Sequence, residues 1–70
     1  MAIVKVIEVI AGSEKGFSEA TNLVLEEASK KVKNIRSIYI ENMHANVENN
    51  KIVSYGVNAK VSFEVEDAIN

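Results

Sequence analysis

Chemistry needs particular side chains, and this chain carries few of them. His44 is the one histidine and there is no cysteine, which removes disulfides, thiolate nucleophiles and thiolate metal sites. No nearby serine and aspartate accompany His44 in a catalytic constellation. The segment "AGSEKG", residues 11–16, lacks the GK[ST] ending of a phosphate-binding loop. Glu26 and Glu27 are adjacent carboxylates, but on a helix they point to different sides and cannot share one substrate. The side chains therefore point to a protein that is not an enzyme. One residue stands out for another reason. "VSYGVNAKVSFEVE", residues 53–66, alternates apolar and polar, with Gly56 inside it. A glycine within a strand weakens it and often marks a close approach by a ligand or another backbone. A bulge is the alternative.

The elements that would position these residues are legible. Residues 3–10, rich in Ile and Val, form a first strand that ends at the glycines and serine of "AGSEKG". Phe17, Ala20, Thr21, Val24, Ala28 and Val32 recur at helical spacing, which predicts a helix over 17–32 with one apolar stripe. Glu26–Lys30 and Glu27–Lys31 are i,i+4 pairs in the favourable order. Acidic residues near the start and Lys30, Lys31 and Lys33 near the end match the helix dipole, which gives the one basic cluster, with Arg36, a structural purpose. Asn34 suits a left-handed exit. A second strand follows over 35–48, then Asn49–Asn50 as a two-residue turn, then a third strand from 51 to about 66. "DAIN" reads as a loose tail. The fold class is α+β in the order β-α-β-β, with no repeat or linker.

The chain has 70 residues, a net charge of −2 and scattered basic residues. This fits a single domain over 1–70 and argues against nucleic acid as a partner. "MAIVKVIEVI" lacks a basic region before its apolar run and reads as a strand, not a signal peptide. No stretch approaches the ~18 apolar residues of a membrane span. A cytoplasmic setting, without membrane contact, is the expectation.

The ribbon is too long for its helix. Val53, Tyr55, Val57, Ala59, Val61, Phe63 and Val65 share one face of the third strand, while Ser54, Gly56, Asn58, Lys60, Ser62 and Glu64 share the other. Some 14 residues at ~3.4 Å each span ~45 Å, whereas a 16-residue helix at ~1.5 Å per residue spans ~24 Å. The uncovered part of the apolar face needs a neighbour, and another copy of the same chain is the simplest one. A hairpin bent over its own helix is the alternative. With Asn49–Asn50 as a two-residue loop, Gly56 lies opposite Met43, Lys60 opposite Tyr39 and Ser62 opposite Ser37, all on the face away from the helix. A bulge would shift this register.

Several strings resemble the dodecins: "KVIE" at 5–8, "GS" at 12–13, "FSEA" at 17–20, "EEASK" at 26–30, "NIR" at 34–36, "VENNK" at 47–51, Tyr55 and "KVSFEVE" at 60–66. The resemblance covers nearly the whole chain and implies a hollow homododecamer that binds or stores a small ligand, commonly a flavin. It also places the flavin site. The stacking tryptophan of the family falls at Ser37 and its hydrogen-bonding glutamine at Gly56. His44 stands where some members have an arginine, and Tyr39 is a same-face neighbour that could supply a ring. With both main positions reduced to small residues, the resemblance implies that flavin (FMN, FAD or riboflavin) binds weakly or not at all. The loss is ~2–4 kcal/mol, from ~1–3 for a stacked ring and ~1 or more for the amide contact. One branch of the family also lacks the tryptophan and binds calcium. Oxygen ligands for calcium would come from Glu41, Glu48, Glu64, Glu66, Asp67 and the asparagines at 46, 49, 50 and 58, none of them at loop-type spacing. A purely structural self-assembling module without any ligand is the third reading.

Overall fold

The computed structural model describes residues 3–65. Its elements are β1 (Ile3–Ser13), α1 (Phe17–Ser29), β2 (Ile35–Glu48) and β3 (Lys51–Val65). The β-α-β-β order stands as expected. The strands form one sheet in the order β1-β3-β2, antiparallel at both junctions. β1 and β2 therefore run in the same direction on either side of β3, joined through the helix.

The helix lies on one face of the sheet. Ala20, Val24 and Ala28 are fully buried against Val57, Ala59 and Val61 of β3, with Val9 of β1 completing the core. The small alanines let the helix approach closely, and the alternation of β3 sends every second residue toward it. Phe17 and Tyr55 close the start of the helix, edge to face, with ring centroids 4.9 Å apart. The aromatic pair contributes ~0.5–1.5 kcal/mol beyond its buried area.

Details at the ends of β1 and the helix differ from the sequence expectation. The first strand continues through Ser13 instead of ending at residue 10, because Ala11, Gly12 and Ser13 pair with Val57, Gly56 and Tyr55. The helix stops at Ser29 instead of 32. Lys31 and Val32 amides both donate to the Ala28 carbonyl, at 2.9 and 3.0 Å, and close the last turn there. No basic residue then falls within that last turn. Lys30 and Lys31 both lie 3.7 Å from Glu27, so the expected Glu26–Lys30 pair is replaced by Glu27–Lys30. Asn34 has φ 62°, the left-handed exit its residue type favours. The tail "DAIN", with Glu66 before it, lies outside the described residues.

The hairpin turn is as the asparagines suggest. Asn49 and Asn50 have φ 52° and 64°, both left-handed, as a two-residue turn of the primed type requires. The ladder, however, is not uniform. Its register shifts between Asn46 and Val47, between Ile40 and Asn42, and between Ile35 and Ser37. The first shift leaves Val53 extra on β3, and the second leaves Glu41 extra on β2. Between them the partners move by one. Gly56 faces His44, and Met43 faces Val57 on the helix side. The expected Gly56–Met43 pair is thus corrected, while Tyr39–Lys60 and Ser37–Ser62, beyond the compensating bulge, stand as expected.

The helix leaves much of its face uncovered. The chain measures 59 × 18 × 13 Å, and thirteen helical residues account for ~20 Å of that length. Met43, Val47 and Ile52 are 51%, 61% and 56% exposed toward the hairpin tip, with Ile40 and Val53 also open. The hairpin extends past the helix and does not bend over it.

Gly16, at the helix entrance, has φ 149° and ψ 174°, a region that side-chain-bearing residues avoid at a cost of ~1–3 kcal/mol. Gly16→Ala is expected to lower stability by that amount in urea unfolding. Gly12→Ala, whose Cβ would meet only the Tyr55 carbonyl at 3.5 Å, is expected to cost less than half as much.

Candidate functional site

The face of the sheet away from the helix carries Ser37, Tyr39, Asn42, His44 and Asn46 from β2, opposite Ser62, Lys60, Asn58, Gly56 and Ser54 from β3. β1 adds Val6, Glu8, Ile10 and Gly12 to the same face, opposite Ser62, Lys60, Asn58 and Gly56. The four positions singled out in the sequence, Ser37, Tyr39, His44 and Gly56, therefore share one surface.

They do not share one pocket within a single chain. Ser37 pairs with Ser62, six residues along β3 from Gly56, which is ~20 Å at the strand rise. Tyr39 lies between, 59% exposed and opposite Lys60. Lys60 reaches Glu41 at 3.4 Å, so the middle of the face is a mixed aromatic and charged band. Such an exposed pair contributes ~0–1 kcal/mol.

His44 and Gly56 do come together. The imidazole lies across the glycine: a Cβ placed on Gly56 would come 2.6 Å from Nε2 and 3.0 Å from Nδ1, with Cε1 nearer still. Real Cβ atoms do not approach so closely, so the glycine and the ring position depend on each other. The glycine that interrupts β3 thus serves a close approach, and the group that approaches is a side chain of the opposite strand. A groove of about 360 Å³ opens beside them, lined by Ile10, Gly12, Asn46 and Ser54 among others. Asn46 Nδ2 donates to Ser54 Oγ at 2.8 Å across its rim. The β1 side of this groove was missed in the sequence because the two glycines of "AGSEKG" read as a loop. The available signal was the alternation of Ile7, Val9 and Ala11, which continues without a break into that segment.

At the other end of the face, Arg36 and Glu64 form an ion pair with a direct N–H to carboxylate hydrogen bond. Glu64 is thereby matched to a cation, as Glu41 is by Lys60. Among the described residues no three acidic or histidine side chains gather as a metal site. The candidates Glu66 and Asp67 lie outside those residues. Asn58 Oδ1, in the middle of the face, is a buried acceptor with no hydrogen-bond partner among the described residues.

Gly56→Ala is expected to expel the imidazole without unfolding the chain. The ring is the free end of an exposed side chain, so stability should stay within ~1 kcal/mol of wild type. The His44 Hε1 resonance should shift markedly in proton NMR, and an unchanged resonance would contradict the stacked arrangement.

Comparison with known proteins identifies the family and the fold. Residues 3–66 match the family model of the dodecins. No curated protein matches the sequence. Among solved structures, a protein from Thermus thermophilus is similar with a TM-score of 0.89 at 20% identity, over 97% of this chain and 100% of its own. The dodecin from Streptomyces davaonensis gives 0.86 at 18% identity, over 94% and 97%. The calcium dodecin of Mycobacterium tuberculosis, described as a calcium-chelating antigen with a novel calcium-binding site, gives 0.77 at 22% identity, over 97% of each chain. At these identities the likeness is one of fold.

Proposed function

The chain belongs to the dodecin family, and from that premise we propose that it is a homododecameric protein that binds or stores a small ligand, without catalysing a reaction, in the cytoplasm. The observation that carries self-assembly is the uncovered apolar half of the hairpin. Met43, Val47, Ile52 and Val53 present their side chains to solvent at the end the helix does not reach. Burying each is worth ~1.5–3 kcal/mol, and a second copy supplies a matching surface by symmetry.

The ligand site of this reading forms between copies. Ser37 and Gly56 are too far apart in one chain to touch the same ring, so a flavin that met both positions would do so across a subunit boundary. At each position the chain offers little: a hydroxyl at 37 in place of a ring, no side chain at 56. Flavin binding is accordingly weak or lost. A calcium-binding assembly is the second reading, favoured by the likeness in fold to the calcium dodecin together with the absence of an aromatic ring at Ser37. Its ligands would have to converge from several chains, because the described carboxylates Glu41 and Glu64 already face cations.

Native mass spectrometry of the protein as purified tests the assembly: twelve chains are expected, and a monomer would overturn the proposal. Met43→Asp with Val47→Asp should dissociate the particle while leaving the helix signal in circular dichroism. For the ligand, Ser37→Trp is expected to raise riboflavin affinity by about 5- to 150-fold, as a stacked ring worth ~1–3 kcal/mol implies. The amide reader at 56 needs a paired change, since Gly56→Gln alone would strike His44. A melting temperature that rises with calcium and falls with chelator would favour the second reading over the first.

A further inference from the structure

The two edges of the sheet are built differently. β2 is broken by bulges at Arg36 and Glu41. β1, the other edge, pairs with β3 alone and keeps one register from Ile3 to Ser13. In an antiparallel ladder every second residue turns its N–H and C=O away from its partner. β1 therefore presents a row of unpaired backbone groups that no bulge or proline interrupts. A groove of about 410 Å³ runs between this edge and the helix, lined by residues 8–11 and by Leu23, Glu26 and Lys31 among others. Consecutive strand residues face opposite sides of a sheet, so a groove that touches residues 8–11 in a row looks onto the edge of the strand itself. An extended peptide adds to such an edge through main-chain hydrogen bonds, and the surroundings of its alternate side chains set which sequence is accepted.

Charge decides what this edge accepts. Within the helix, Glu27 is matched to Lys30 and Lys31. Glu8 and Glu26 are both exposed, and neither has a cation partner among the described residues, where the other ion pairs engage Glu19, Glu41 and Glu64. The two carboxylates flank the edge. Glu8 stands on the sheet face away from the helix, and Glu26 stands on the helix. Each has an apolar neighbour, Ile10 beside Glu8 at 71% exposed and the half-buried Leu23 beside Glu26. A second copy of β1 is a poor occupant. Paired along its full length, it would set Glu8, midway between Ile3 and Ser13, directly opposite its own counterpart, and like charges placed so are destabilising. We infer that the β1 edge takes an extended basic and apolar segment of another protein, which joins the sheet as a further strand beside the helix.

The probe is a labelled peptide of alternating lysine and valine, followed by fluorescence anisotropy against the protein as purified, with native mass spectrometry recording its assembly. Saturable binding is expected, and a peptide of alternating glutamate and valine should bind roughly tenfold more weakly or not at all. Glu8→Lys with Glu26→Lys should reverse that preference. If the reversed variant fails to assemble, Glu8→Gln with Glu26→Gln carries the charge test, with an expected loss of roughly threefold for the lysine peptide. Hydrogen exchange locates the added strand: bound peptide should slow exchange within residues 3–13 and leave 35–48 unchanged. No binding, protection at β2 in place of β1, or equal binding after the charges are changed overturns the inference. Absence of binding is also the result if a second copy already holds the edge.

Discussion

Everything in this structure follows from a mismatch of lengths. A thirteen-residue helix seats Ala20, Val24 and Ala28 on Val57, Ala59 and Val61 and can reach no further along strands of fourteen and fifteen residues. Where the helix covers the sheet, a dry core forms from small and β-branched residues. Beyond it the same apolar alternation continues with nothing above it. The core is too small to stabilise a chain of this size comfortably by itself, and the uncovered half is the surface through which more burial becomes available. One constraint thus sets both the weakness of the isolated chain and the remedy.

The other face of the sheet is freed by the same arrangement. Because the helix occupies one side only, Ser37, Tyr39, His44 and Gly56 stand on a surface with no covering layer. That surface is graded along its length. An ion pair of Arg36 with Glu64 lies at one end, a charged and aromatic band around Lys60 and Tyr39 in the middle, and the imidazole groove at the hairpin side. The exposed apolar surface and the surface that carries these four residues are therefore opposite faces of the same strands, and a substitution in β2 affects one or the other according to the face on which its side chain stands.

Much of this was legible in the sequence, and the failures have physical causes. Element order, the helix start at Phe17, the asparagine turn and both faces of β3 followed from periodicity and from residues that tolerate positive φ. The register held next to the turn and again beyond the second bulge, at Tyr39–Lys60 and Ser37–Ser62, and failed between two bulges that offset each other. Val53 and Glu41 carry no mark in a single sequence, since a bulged residue need not be a glycine. That one-residue shift hid the pairing of His44 with Gly56. The reason for the glycine was therefore invisible until the opposite strand was in place, although its significance as a site of close approach was not. β1 was cut short because glycine was weighed as a loop former, when here it pairs within the sheet.

The bulges have a further consequence for how the molecule avoids its neighbours. β2 is an edge strand, and an open edge beside an exposed apolar face invites uncontrolled strand pairing. The two bulges on its own side of the ladder fall at Arg36 and Glu41, so that each of these two carries a charge. β1 joins β3 across more than forty intervening residues, whereas the β2–β3 hairpin is local and closes sooner. A β2–β3 hairpin without β1 has both edges open and its hydrophobic tip bare. Interrupting one of those edges twice, with a cation and then an anion, makes it a poor template for fibrillar growth.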